Sequence, residues 1–150
     1  MAYNYDKGHE LKLGFLFYFC PVMTFSFPKK EKLKSQKLID LLFEEGKTMS
    51  VYPLRLIYLR TNLPEGVKFQ VGVAVPKKKF KSAVKRNRIK RLLREAYRLN
   101  KDLIFNNSEG EFAFLFLYLG KEMPSYSEVE KGMKKMLQKF IETIGHEKDH

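Results

Sequence analysis

The chain has 150 residues, 44% hydrophobic and 14% aromatic, with 29 Lys/Arg against 17 Asp/Glu and a net charge of +12. That length and apolar content exclude a disordered chain and fit one domain with its own core. The positive balance points to a polyanionic partner, nucleic acid first and an anionic membrane surface second, while the single Cys20 excludes an intramolecular disulfide framework and fits a reducing cytoplasm.

The first 22 residues stand apart. Leu13 to Met23 is an apolar run of eleven residues, too short to span a bilayer as a helix. Asp6 and Glu10 upstream, and the lack of a small-residue cleavage site, argue against a signal peptide. Residues 1–22 therefore read as an over-long start or a loose extension, 23–145 as the domain beginning at Met23, and 146–150 as a polar, frayed tail.

Leu33, Leu38, Leu41 and Leu42 recur at helical spacing, and Gly46 stops a first helix predicted over 32–45. Leu54 to Arg60 reads as a strand, followed by a loop with Asn62, Pro64 and Gly66. In the next strand Val67, Phe69, Val71, Val73 and Val75 alternate with Lys68, Gln70, Gly72 and Ala74. A helix from Ser82 to Lys101 carries Ile89, Leu92, Leu93, Ala96 and Leu99 as the stripe that must pack on a sheet. Asn87, Arg91, Arg94, Arg98 and Lys101 follow spacings of four and three on the opposite side, flanked by Arg88 and Lys90. Asn106 to Gly110 reads as a turn-forming loop, and Phe112 to Leu119, apolar on both faces, as a central strand. Ser125 and Glu128 offer a capping box for a last helix with core residues Val129, Met133, Met136, Leu137, Phe140 and Ile144. The order α-β-β-α-β-α describes an α+β sandwich, a small sheet with helices packed on it.

Bond-breaking chemistry finds no seat in this pattern. His9, His146 and His150 lie near the two ends without the Cys/His spacing of a metal site, and no P-loop or HExxH motif occurs. Glu44/Glu45 and Glu109/Glu111 read as solvated, and no Ser or Thr has a non-terminal histidine to activate it. Reacting groups are expected on a partner, with no metal ligands on the protein. Binding chemistry is concentrated instead. From Lys77 to Lys101 twelve Lys/Arg face one acid, Glu95, so this window carries +11 of the total charge. The guanidinium forks of Arg86, Arg88, Arg91, Arg94 and Arg98 suit bidentate phosphate contacts. A merely solvated helix face would mix signs to form i,i+4 pairs. Composition leaves RNA and DNA both open. Phe43, Tyr52 and Tyr58 stand between two readings, core packing and a stacking platform for unpaired bases.

The run Ala83-Val84-x-Arg86-Asn87-Arg88-Ile89-Lys90-Arg91-x-x-Arg94-Glu95-x-x-Arg98, preceded by Lys77-Lys78, resembles the signature of the bacterial ribonuclease P protein component family. The resemblance covers about Phe27 to Ile144 and includes the order of elements. It implies a left-handed βαβ crossover, and a small subunit joined to a catalytic RNA that removes 5′ leaders from precursor tRNA. It also implies Mg²⁺ in the RNA-containing holoenzyme, no cofactor on the protein alone, a cytoplasmic location, no stable membrane association and no small-molecule substrate. By position, Arg86, Asn87, Arg88, Lys90 and Arg91 would contact the catalytic RNA, with Lys77 and Lys78 as the basic pair after the second strand and Arg94 and Arg98 extending the face. Phe43, Tyr58 and Lys32, with Lys29 and Lys30 nearby, would line a cleft between the first helix and the sheet for the single-stranded leader. Ile39 stands where a second helix aromatic is common. Other readings are an RNA- or ribosome-associated binding module, a membrane-surface protein using the 13–23 run, and a self-sufficient nuclease, the last disfavoured by the missing catalytic set.

Overall fold

Seven consecutive apolar residues, Phe112–Tyr118, form an interior strand of a four-stranded sheet in the computed structural model, which describes residues 27–148. The 13–23 run, Cys20, the expected start at Met23, His9 and His150 lie outside the described residues. After a 3-10 turn at Lys29–Glu31 come α1 (Gln36–Glu45), β1 (Lys47–Val51), β2 (Leu54–Arg60), β3 (Phe69–Ala74), α2 (Ala83–Asn100), α3 (Asp102–Asn107), β4 (Phe112–Tyr118) and α4 (Tyr126–Lys148). The strand order is β1-β2-β4-β3; β2 pairs antiparallel with both neighbours, and β3 pairs parallel with β4. Parallel neighbours need a crossover connection, which α2 and α3 supply.

Alternation along the strands divides the core. On one face Leu56, Tyr58, Phe69, Val71, Phe112, Phe114 and Phe116 pack against Ile89, Leu93, Ala96 and Tyr97 of α2 and Met133, Leu137 and Phe140 of α4. Phe140 anchors this layer, edge-on to Phe114 at 4.8 Å and to Phe112 at 5.1 Å between centroids, arrangements that aromatic quadrupoles favour. The other face holds a smaller cluster of Leu33, Leu42, Ile57, Ala113 and Leu115 under α1.

Each long helix begins on a serine whose Oγ accepts a backbone N–H: Ser35 from Leu38, Ser82 from Lys85 and Ser125 from Glu128 at 3.2 Å. Gly46 closes α1 at an ordinary φ of −68°, so its role is close approach. A Cβ there would collide with the Leu42 carbonyl and sit 2.7 Å from a methyl of Ile57.

The α+β sandwich matches the expectation from sequence, with five differences. β1 is an additional strand. α3 occupies part of the expected 106–110 loop. α4 continues past Gly145 to Lys148, where a frayed tail was expected. In α2 Tyr97 is buried and Leu99 half-buried, reversing the expected stripe at its C-terminal end. The Tyr97 ring packs 5.5 Å from Phe27, and burial, then Glu31, pushes its hydroxyl well above the usual phenol range. Lys101, expected on the polar side, is instead 4% exposed, its Nζ 2.9 Å from Glu31 Oε1. The 3-10 turn has folded over the end of α2 and supplied the counter-charge.

Two stability effects are expected. Gly46→Ala destabilises by about 1–3 kcal/mol, as overpacking does, read as a lower urea midpoint at unchanged slope. Glu31→Gln leaves the Lys101 ammonium buried without that carboxylate, a loss of about 3–5 kcal/mol. Replacing both, Glu31→Leu with Lys101→Met, recovers most of it, measured by a double-mutant cycle of urea melts.

Candidate nucleic-acid interface

Burying one stripe of α2 fixes where its opposite side points. With Ile89, Leu93, Ala96 and Tyr97 against the sheet, Lys85, Asn87, Arg88, Arg91 and Arg94 are exposed. Arg88, Arg91 and Arg94 recur at spacings of three, so their forks lie within one helical neighbourhood. Lys90 is half-buried beside them. Lys77 and Lys78 are exposed on the turn after β3, which is the third strand rather than the second because β1 precedes it.

The other two arginines of the expected set are partly committed within the protein. Arg86 Nη1 donates to the carbonyls of Phe80 at 2.7 Å and Lys81 at 2.9 Å, clamping the loop that leads into α2. Arg98 Nε donates to Glu95 Oε2 at 3.0 Å and Nη2 to Oε1 at 2.5 Å, a two-pronged pair. This hydrogen bonding holds the Glu95 carboxyl below its ordinary range and raises Arg98. Arg98 therefore sits beside the negative charge of Glu95, while Arg88, Arg91 and Arg94 have no ion pair with a described residue.

On the α1 face, register defines an open floor. A Cβ on Gly72 would lie 3.3 Å from Leu33 and Leu115, and Gly46 abuts Ile57. Ile57, Leu115 and Gly72 form one row across the sheet. The segment from Leu33 to Gly46 therefore runs across the strands along that row. The next row on the same face is Arg55, Leu117 and Ala74, with Arg55 exposed and the others half-buried. Phe43 on α1 is 60% exposed and Ile39, one turn earlier, half-buried. Lys32 is exposed at the β3 edge, bridged to Val71, its Nζ 5.7 Å from the Phe27 ring centroid. Lys32 and Phe43 thus occupy opposite ends of the traverse, separated by about 15 Å of helix.

Tyr58 does not join them. Because Ile57 faces α1, period-2 alternation sends Tyr58 to the opposite face, where it is 4% exposed and edge-on to Phe140 at 5.1 Å. Its expected place in the leader cleft is corrected accordingly. Arg55 escaped notice in the sequence because a strand register is needed to see it beside α1. Lys79, Lys81 and Lys121 line a cavity at the start of α2. Lys121 joins that group through the parallel pairing of β3 and β4, which brings the two strand ends together. Among the described residues no three His, Cys, Asp or Glu are grouped to hold a metal ion, and no helix is long and apolar enough to cross a membrane.

The family model for ribonuclease P matches residues 27–141. The ribonuclease P protein component of Porphyromonas gingivalis is 40% identical over 117 residues, 76% of this chain and 85% of that protein. Its counterpart in Chlorobium phaeobacteroides is 35% identical over 127 residues, 75% of this chain and 86% of that one. The solved RNase P protein from Thermotoga maritima superposes with a TM-score of 0.60 at 23% identity, covering 73% of this chain and 96% of that one, a likeness of fold. The basic helix on an α+β sandwich and the extent of these matches agree: the chain belongs to the ribonuclease P protein component family, part of the endoribonuclease that matures tRNA.

Proposed function

We propose that the exposed side of α2, with Lys77 and Lys78, docks the catalytic RNA of ribonuclease P, and that the α1 face receives the single-stranded 5′ leader of precursor tRNA. The single observation that carries the first half is the grouping of Arg88, Arg91 and Arg94 on an exposed helix side without a described counter-ion. Guanidinium groups held in rows on a rigid helix neutralise phosphates without being reordered on binding. Asn87 adds a neutral donor and acceptor beside them. Arg86 and Arg98 contribute mainly by position, the first by fixing the loop before α2 and the second by extending the face next to Glu95. Lys90 and Arg94 continue the contact along the helix.

The leader lies along α1 over the Arg55–Leu117–Ala74 row, with Phe43 offering its ring to an unpaired base and Lys32 approaching a phosphate near the β3 edge. Tyr58, under α4, takes no part. Among the described residues no three His, Cys, Asp or Glu are grouped to hold a metal ion; in this reading the Mg²⁺ of the holoenzyme is held by the RNA, and the protein supplies charge and positioning. We propose, on the same family resemblance, a left-handed β3–α2–β4 crossover and a cytoplasmic location.

Precursor-tRNA processing with and without the catalytic RNA tests the proposal: leader removal is expected only when both are present, and cleavage by the protein alone would sink it. Arg88→Ala or Arg91→Ala is expected to impair processing most at low Mg²⁺ and to reduce the log–log salt slope of RNA binding by roughly 0.7–0.9, with thermal melting unchanged. Phe43→Ala is expected to weaken precursor tRNA binding by about 1–3 kcal/mol while leaving mature tRNA untouched, compared by titrating holoenzyme with each. Equal losses on both RNAs would remove the leader from the α1 face.

A further inference from the structure

Tyr52 projects from the β1–β2 turn with 74% of its surface exposed. A single exposed ring needs no explanation; its surroundings give this one meaning. The carbonyl of Pro53 accepts from Leu119 N at 2.7 Å, and the carbonyl of Leu119 accepts from Lys79 Nζ. These two bonds tie the Tyr52 turn to the rim of a cavity of about 420 Å³, lined by Lys79, Lys81, Lys85 and Lys121 together with Phe80 and Glu122. Four lysines and one glutamate line it, and none of the four lysines is in an ion pair with a described residue.

A solvent-open cavity with this charge suits a phosphate, and an exposed ring on the turn tied to its rim offers a π-face to an unpaired base. We infer that the cavity and Tyr52 together hold one unpaired nucleotide of the catalytic RNA, its phosphate among the lysines and its base on the Tyr52 ring. The assignment rests on the function proposed above, because Lys85 belongs both to the cavity and to the first turn of α2, making the two surfaces continuous. The lysines alone would bind any polyanion; the adjoining ring selects a strand with a base free to stack.

The experiment titrates full-length protein with the catalytic RNA. Tyr52→Leu, which keeps apolar bulk and loses the π-face, is expected to lower affinity roughly ten-fold, the order of one base–aromatic stack, and Tyr52→Phe to restore it. Lys121→Gln is expected to lower the log–log salt slope by about 0.7–0.9. Both positions are exposed, and a thermal melt confirms that each variant is folded. Parent-like binding by Tyr52→Leu, or an effect in only one of the two variants, overturns the shared site. If Arg88→Ala still weakens RNA binding in that assay, the proposed function survives without it; if Arg88→Ala is also silent, both fall. A loss seen with precursor tRNA but not with the catalytic RNA overturns the choice of partner.

Discussion

Strand β3 runs parallel to β4 over six residue pairs, and two parallel neighbours cannot be joined by a tight turn. The chain must leave the sheet after Ala74, cross one face and re-enter in the same direction. α2 makes most of that passage, so it must bury an apolar stripe along its length, which Ile89, Leu93, Ala96 and Tyr97 provide. Once that stripe is down, the cationic side has no orientation left except outward. Parallel pairing has a second result. The C-terminal ends of β3 and β4 emerge at one edge of the sheet, which gathers the lysines after Pro76, the start of α2 and Lys121.

Several cations elsewhere in the described chain are held by the fold. Lys68 donates to the carbonyls of Phe105 and Ser108, Lys139 to that of Ser50, and Lys47 pairs with Glu147. Lys101 is buried against Glu31. These contacts tie the last helix to β1, the 3-10 turn to α2, and β3 to the loop after α3. The row from Lys85 to Arg94 differs in kind, because its like charges sit a turn apart and repel one another in the isolated protein. The fold withstands that repulsion because the aromatic layer around Phe140 holds α2 from beneath. A bound polyanion relieves such repulsion, so the proposed affinity for RNA and the repulsion along the free helix have the same origin.

Much of this was legible from the residues. The α2 stripe from Ile89 to Ala96, the two-sided apolarity of β4 and the alternation of β3 follow directly from periodicity, since each element buries a continuous surface. β1 was not legible: in Lys47–Val51 only Met49 is buried, so a short edge strand carries almost no hydrophobic pattern. α3 ends on two asparagines, residues that serve turns as readily as short helices. Lys101 and Tyr97 were misplaced because the wheel of an isolated helix cannot know that Phe27 and Glu31 fold over its end. For the candidate interface, the exposed arginines could be read from spacing alone, whereas Tyr58 could not. A strand that buries residues on both faces gives no sign of which neighbour of Ile57 meets which helix.

The two faces of the sheet are unequally defended, and that inequality bears on the proposed division of the surface between two RNAs. The α2/α4 face is closed by interlocked rings and two long helices, whereas the α1 face rests on five buried side chains and one helix laid across the strands. Separating α1 from the sheet exposes far less apolar surface than separating α4, so local opening is cheapest there. Gly46 sharpens the contrast: the contact of α1 with β2 is made by backbone at close range, which fixes orientation while burying little area. The proposed docking surface for the catalytic RNA lies on the rigid side, where the arginines are. In the proposed reading the face bearing Phe43 and Arg55 adjusts to leaders of differing sequence, because stacking and phosphate contacts tolerate any base and α1 buries only Leu42 fully against the sheet.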